Sequence, residues 1–309
     1  MIGKRKRRHR LDKTESSIVI VGSGLAGLSV AISLEQAGFA NISIYERDEN
    51  FGSQKEGYGL TLTYNPKGPL ASLGCLESAA NEDCPSRSHY LFRNDGAVLG
   101  YFGNAFFQEQ QQGLGQRGNL RVKRKVLRKI LFQKITNSKV YWGHKFVDHK
   151  FSSSTNQYTV KFKTLDGEDV TTTADLLVAA DGIHSRVLQK LYPPTVSNPN
   201  QGLRKLGIRL ILGIADFSHP LLNERGFYTI DGKNRLFTMP YESRRLGTKE
   251  DSKNRIMWQL SFSTDSQEST TTPLDKSLLR KKVLETVTNW HAPVKDMILA
   301  TPLDSIWGT

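Results

Sequence analysis

Three glycines with a fixed spacing are the first residues in this sequence that could do chemistry. In VGSGLAGLS, Gly22, Gly24 and Gly27 form G-x-G-x-x-G directly after a short apolar run and at the start of a helical pattern. Such a turn suits a diphosphate. Gly22 permits a tight bend, Gly24 lets the backbone come close to an anion, and Gly27 lets the helix lie against the strand. The backbone N–H groups of this stretch, those of Ser23, Leu25 and Ala26 included, sit at the positive end of the helix dipole and attract an anion. Glu46 follows Gly27 by 19 residues, about the distance at which an acid meets a ribose hydroxyl. A carboxylate there repels a 2′-phosphate, which favours FAD or NAD over NADP. A second candidate is Asp181 with Gly182, in LLVAADGIHSRV. They stand at the carboxyl end of an apolar run, where ligands bind to open α/β sheets. An Asp-Gly turn that merely ends a strand has the same appearance, and both readings stand.

The elements that must position these residues follow from periodicity. SSIVIV at 16–21 is a short β-branched run and predicts a buried strand. A helix is predicted from Leu25 to about Ala37, with Leu25, Leu28, Ala31, Ile32 and Leu34 on its packing side and Gly38 at the C′ position. NISIYE at 41–46 predicts a second strand, which completes the minimal parallel crossover unit. ADLLVAA at 174–180 is continuously apolar and predicts a strand buried on both faces. Between these, HKFVDHKF, QYTVKFKT and EDVTTT alternate apolar and polar residues and predict an antiparallel meander. LGIRLILGIADF, GFYTI, RLFTMPY and RIMWQLSFS predict a second sheet, followed by helices near 274–288 and 292–299. The fold class expected is therefore α/β: a nucleotide-binding, Rossmann-like layer with an antiparallel meander, plus a second, mainly antiparallel β-sheet region.

The charge is local. The 309 residues carry 43 Lys and Arg against 30 Asp and Glu, a net charge of +13. Six of the cations fall between Lys4 and Arg10, and seven more (Arg121, Lys123, Arg124, Lys125, Arg128, Lys129 and Lys134) fall between 121 and 134, with no acid in either run. Together they equal the whole excess, so the rest of the chain is neutral and a nucleic-acid partner is not indicated. The first run reads as a solvated, disordered tail over residues 1–15, or alternatively as a nuclear or polyanion address. The second reads as an amphipathic helix, with Val126, Leu127, Ile130, Leu131 and Ile135 inward and Arg121, Lys125, Arg128 and Lys129 on a solvated outer face.

An apolar content of 38 % with 14 Phe excludes a disordered chain. Two cysteines, Cys75 and Cys84, are too few for a disulfide framework or a paired-cysteine zinc site. The longest apolar stretch, 18–34, is broken by the three glycines, so no membrane span is expected. Asp12 and Glu15 separate the basic run from any apolar core, so no signal peptide is read there. A cytoplasmic setting fits best.

At this point the sequence resembles a known family. IVIVGSGLAGLSVAISLEQAGF with ISIYERD, together with LLVAADGIHSRV, looks like the FAD-dependent aromatic hydroxylases, single-component flavoprotein monooxygenases with a para-hydroxybenzoate hydroxylase-like fold. EGYGLTLTYNPKGPLASLG and LRVKRKVLRKIL sit where that family has similar stretches, and the likeness runs through most of residues 16–309. The resemblance implies an enzyme that binds FAD, uses NAD(P)H as a transient co-substrate and transfers one oxygen atom from O2 to a small, aromatic-type substrate. It implies that Gly22, Gly24 and Gly27 bind the FAD pyrophosphate and that Glu46, with Arg47 beside it, binds the adenosine ribose. It further implies that Arg124 reaches the flavin side, and that Asp181 and Gly182 form a motif associated with FAD and NAD(P)H. A flavin reductase or oxidase of the same fold, or a non-catalytic basic binding protein, are the alternatives. Residues 16–60 and 115–195 would form the FAD-binding region, 61–114 and 196–300 the substrate region, and 301–309 the start of a return to the first.

In the substrate region Phe237, Met239, Tyr241, Trp258 and Leu260 are candidate pocket residues. His184 and His291 read as surface or structural histidines. Two departures from the family pattern stand out. Leu188 occupies a position where the family usually has arginine. The family's later Gly-Asp motif is not matched, since no Gly-Asp pair occurs in the sequence. The chain therefore reads as an incomplete flavoprotein, with weak FAD affinity and low turnover expected.

Overall fold

The computed structural model describes residues 11–53, 57–103, 119–193, 206–242, 254–263 and 275–308. The basic run 4–10 lies outside the described residues. Along the chain the elements are β1 (Ile18–Val21), α1 (Leu25–Gln36), β2 (Ile42–Tyr45), β3 (Gly59–Thr63), α2 (Pro69–Ser72), α3 (Leu76–Asn81), β4 (Ser88–Arg93), β5 (Val98–Gly103), β6 (Asn119–Lys123) and α4 (Arg124–Lys134). There follow β7 (Lys139–Tyr141), β8 (Lys145–Ser152), β9 (Gln157–Lys163), β10 (Asp169–Ala174), β11 (Leu176–Ala179), α5 (Arg186–Leu191) and β12 (Ile208–Asp216). The last are β13 (Arg225–Ile230), β14 (Asn234–Glu242), β15 (Arg255–Ser263), α6 (Lys276–Thr286), α7 (Val294–Leu299) and β16 (Ile306–Gly308).

The chain divides into two compact units, one of residues 1–57, 65–78 and 124–203, the other of 58–64, 79–123 and 204–309. In the first, four parallel strands stand in the order β11-β1-β2-β7. All four residues of β1 are buried, because both faces of the sheet are covered. Val19, Val21 and Tyr45 pack with Phe146, Val160 and Phe162 of the antiparallel β8–β9–β10 meander. The alternate residues Ile18, Ile20 and Ile44 are as buried, and α1 packs against α4. The parallel crossover, the meander and the mixed α/β class agree with the sequence-based expectation.

One strand differs. β11 was expected to be buried on both faces, yet Leu176, Leu177 and Val178 are half-buried and Ala179 is exposed. Its only neighbour among the described strands is β1, so it forms an edge of the sheet and is covered less completely.

The second unit holds a seven-stranded sheet, β16-β12-β15-β14-β13-β4-β5, and the two-stranded pair β3-β6. One face of the large sheet carries Phe92, Ile211, Phe227, Leu236, Trp258 and Leu260, which form a core with Leu279, Val283, Val294 and Met297 from α6 and α7. Residues 306–308 form the edge strand β16, which pairs antiparallel with β12.

Candidate dinucleotide-binding site

The site is built where β1 turns into α1. Gly22 has φ +100°, and a Cβ there would stand 2.6 Å from the Ala180 carbonyl oxygen and 3.2 Å from the Asp181 Cα. The turn therefore needs glycine for its conformation and for its close approach to the segment after β11. The two sequence motifs, 159 residues apart, meet here backbone to backbone. Gly27 faces back on the turn, and a Cβ there would stand 1.9 Å from the Gly22 carbonyl oxygen. Gly24 differs from both. Its backbone is extended, φ −70° and ψ −174°, a region open to any residue, and its Cβ position has no atom within 4 Å. It is the N-cap of α1, and no side chain caps that helix. Leu25 is half-buried and Ala26 exposed in the first turn.

Glu46 lies just beyond β2 and is buried, 6 % exposed. Its Oε2 accepts hydrogen bonds from the Ser23 N–H at 2.7 Å and the Ser23 hydroxyl at 2.9 Å, and its Oε1 accepts one from the Asp48 N–H at 3.1 Å. A carboxylate has about four acceptor positions, which leaves Oε1 with spare capacity. Arg47 is exposed.

Arg128 is the residue that sequence reasoning misplaced. It was expected on a solvated face of the basic helix. It is 2 % exposed. Its Nε donates to the Ser23 carbonyl oxygen at 2.9 Å, its Nη2 to the Ser23 hydroxyl at 2.8 Å and its Nη1 to the Phe51 carbonyl oxygen at 3.4 Å. The guanidinium carbon stands 4.7 Å from the Phe51 ring centre and 5.6 Å from that of Trp142. Burial pushes its pKa down, while the Glu46 and Asp48 carboxylates oppose that; an arginine remains a cation there. Arg121, also expected on that helix, lies in β6 and is buried, because α4 begins only at Arg124. Lys125 and Lys129 are exposed as expected, and Arg124 is half-buried at the first position of α4.

The Asp181 carboxylate is directed to α5. Its Oδ1 accepts from the Ser185 hydroxyl at 2.6 Å and its Oδ2 from the Arg186 and Val187 N–H groups at 2.6 and 3.2 Å. Gly182 is exposed, with φ +88° and no atom within 4 Å of its Cβ position. Leu188 is 42 % exposed. His184 is exposed. His291, in the second unit, is held by the Thr229 hydroxyl at 2.8 Å and by the Ala292 carbonyl oxygen at 2.7 Å, a structural arrangement.

In the second unit the five candidate pocket residues separate. Phe237, Met239 and Tyr241 cluster with Ile214, Met257 and Trp307 on one face of the large sheet. Trp258 and Leu260 belong to the other face, inside the core against α6 and α7, where the Trp258 indole donates to the Thr301 hydroxyl at 2.8 Å. The reason is the strand period of two: Met239 pairs with Met257 and Phe237 with Gln259, so the sequence signal lay in 257 and 259 rather than 258 and 260.

His89, which sequence reasoning did not single out, joins the first of these faces. Its ring stacks on Phe102 at 5.2 Å and on Phe237 at 6.0 Å, above Gly226, where a Cβ would stand 2.7 Å from the imidazole. Burial, with a contribution from the Arg121 charge, pushes its pKa down to about 4 from the usual 6.5. The folded chain thus keeps His89 neutral where the unfolded chain takes up a proton. The His89 contribution to stability is therefore expected to be full above about pH 6.5 and to be lost as the pH drops towards 4, by up to about 1.4 kcal/mol per pH unit. Urea denaturation of the wild type and His89→Gln at pH 7, 5.5 and 4.5 is expected to show a shallower acid loss in the variant; parallel losses would count against a buried neutral imidazole.

Comparison with known proteins places this geometry. A family model described as an FAD binding domain matches residues 15–303. A putative FAD-dependent monooxygenase, YetM, of Bacillus subtilis is 29 % identical over 188 residues, which cover 60 % of this chain and 47 % of that protein. The monooxygenase cfoF of Aspergillus candidus is 27 % identical over 231 residues, 69 % of this chain and 52 % of that protein. The chain thus spans about half the length of these curated relatives. Among solved structures, HpxO of Klebsiella pneumoniae complexed with FAD and uric acid superposes with a TM-score of 0.71 at 20 % identity, over 95 % of this chain and 67 % of that one. The 2,6-dihydroxypyridine-3-hydroxylase of Arthrobacter nicotinovorans does so with a TM-score of 0.70 at 17 % identity, over 96 % and 72 %. These two share the fold.

Proposed function

The chain belongs to the family of FAD-binding domains, and we propose that its first unit holds the ADP half of FAD in a protein that is, as a whole, an FAD-dependent monooxygenase. Its partners are a small, aromatic-type substrate, NAD(P)H and O2, and its setting is the cytoplasm. No helix among the described residues is long and apolar enough to cross a membrane.

The observation that carries this reading is the open space at Gly24. Nothing among the described residues requires glycine there, since the backbone is extended and no atom beyond the adjoining residues stands within 4 Å of its Cβ position. A diphosphate approaching the uncapped start of α1 does require it. The residues present fit FAD. The N–H groups of the first turn of α1, through Leu25, Ala26 and Gly27, face the diphosphate, and the helix dipole favours its charge. Oε1 of Glu46 accepts a ribose hydroxyl, with Arg47 alongside. Arg124, a cation at the positive end of α4, serves the flavin side. The Asp181 side chain fixes the start of α5, which leaves its backbone and that of Gly182 to border the cofactor.

When bound, FAD would supply the redox chemistry: hydride uptake from NAD(P)H and delivery of one oxygen atom of O2 to the substrate, the other leaving as water. Of Phe237, Met239, Tyr241 and His89 only Phe237 is partly exposed, and it would offer a planar substrate an aromatic contact, with the other three buried behind it.

Titration of the 309-residue chain with FAD, followed by flavin fluorescence, is expected to show weak but saturable binding. ADP is expected to compete with an affinity within about tenfold of that for FAD, because the recognised half is shared. The whole protein is expected to consume NAD(P)H and O2 with a hydroxylated product. If neither FAD nor ADP binds saturably, the reading fails.

A further inference from the structure

We propose that Arg128 is a positioning residue for nucleotide recognition: it fixes Ser23, and through the Ser23 hydroxyl it orients Glu46 so that Oε1 is offered to a ribose hydroxyl. The proposal rests on the reading of the β1–α1 turn as a dinucleotide site.

Ser23 is fully buried, and all three of its polar groups are engaged. Its N–H donates to Glu46 Oε2, and its carbonyl oxygen accepts from Arg128 Nε. Its hydroxyl donates to Glu46 Oε2 and accepts from Arg128 Nη2. A cation and an anion therefore grip one serine from two sides, immediately before Gly24. Fixing Ser23 fixes the direction in which the following N–H groups leave the turn. It also fixes the rotation of the Glu46 carboxylate. With two Ser23 donors on Oε2, the oxygen left with acceptor capacity is Oε1, which holds only the Asp48 N–H.

The gripping needs arginine. Nε and Nη2 reach the carbonyl oxygen and the hydroxyl at once through a rigid fork, which the single ammonium of lysine cannot reproduce. Packing alone gives no reason for a cation here. On α4 its neighbours Leu127 and Leu131 are buried apolar residues, and a third apolar side chain would fill the layer without the desolvation penalty that a charge incurs. The charge is instead surrounded by Phe51 and Trp142 and directed at the turn. Arg128 does not touch the nucleotide in this scheme; it acts through Ser23.

The test is calorimetric binding of ADP and 2′-deoxy-ADP to the 309-residue chain, with thermal melting of each variant. The wild type is expected to prefer ADP over 2′-deoxy-ADP about tenfold, as one hydrogen bond to a charged acceptor provides. In Arg128→Met, ADP binding is expected to weaken about tenfold and the preference to fall below about twofold, with Arg128→Lys restoring melting but not the preference. Ser23→Ala, a smaller change, is expected to lose the preference too, and the double variant to bind no worse than Arg128→Met, because the two residues act in one chain.

A folded Arg128→Met that keeps both affinity and preference overturns the proposal. So does an equal loss for both nucleotides with the preference intact, the signature of a purely structural role. Should Arg128→Met fail to fold, an unchanged preference in Ser23→Ala overturns it. Failure of the wild type to bind ADP at all instead overturns the dinucleotide reading, and this proposal with it.

Discussion

A valine at position 24 is expected to leave the protein folded and abolish nucleotide binding, while a valine at position 27 is expected to unfold the turn itself. The two glycines stand three residues apart in one motif, yet their surroundings are opposite. At Gly24 an added Cβ meets no atom within 4 Å beyond the adjoining residues, and the extended backbone tolerates a β-branched residue. The stability cost of Gly24→Val is therefore confined to a poorer N-cap, about 1 kcal/mol or less. The isopropyl group would instead occupy the space through which a diphosphate reaches the start of α1, and a loss of ADP and FAD affinity of about 100-fold or more is expected.

At Gly27 a Cβ would lie 1.9 Å from the Gly22 carbonyl oxygen, which is backbone and cannot rotate aside. Relief requires α1 to move off β1, whose residues are all buried, and a loss of about 4 kcal/mol or more is expected. Thermal melting and calorimetry on Gly24→Val, Gly27→Val and the wild type separate the two. Retention of ADP binding by Gly24→Val would remove the diphosphate from this turn.

The turn was legible in the sequence because its determinants are local: the glycine spacing, the strand before it and the acid after the next strand all lie within 30 residues. The meander was legible for the same reason, since alternation is read within each strand. What was not legible depends on partners distant in sequence. Leu176 to Ala179 has the composition of a central strand, and only the strand order shows that it lies at an edge. Trp258 and Leu260 look as suitable for a pocket as Met257 and Gln259 until the register with Phe237 and Met239 assigns the faces.

Arg128 is the most instructive case. At about 100° per residue it lies within about 20° of Ile135 and about 60° of Leu131, at the margin of the buried stripe rather than opposite it. Its charge suggests solvent, but its angle places it beside the buried residues. Even the correct angle does not name its partner, because Ser23 lies 105 residues away.

Glu46→Ala is expected to be among the most destabilising single changes in the first unit and to weaken ADP binding at least about tenfold. The carboxylate accepts three hydrogen bonds while 6 % exposed. Its removal strands the Ser23 N–H and leaves Arg128, itself 2 % exposed, as a buried cation whose opposing charge is gone. Breaking a buried ion pair from one side costs about 3–5 kcal/mol, chiefly for the uncompensated partner. Here the pair is bridged by the Ser23 hydroxyl rather than in direct contact, so the lower end of that range is expected.

The physical cause can be isolated by removing the other charge as well. Glu46→Gln keeps the volume and part of the hydrogen bonding, and Arg128→Met removes the cation at similar length. Together they are expected to be about 1–3 kcal/mol more stable than the sum of the single losses. Urea denaturation of the four proteins measures this coupling; strict additivity would mean that the two charges do not sense each other across Ser23. The double variant is also expected to fold while still binding ADP at least about tenfold more weakly than the wild type, because a neutral amide at 46 is a poorer acceptor for the ribose hydroxyl than a carboxylate. Stability would then be regained by matching charges, while recognition would still require the charged pair.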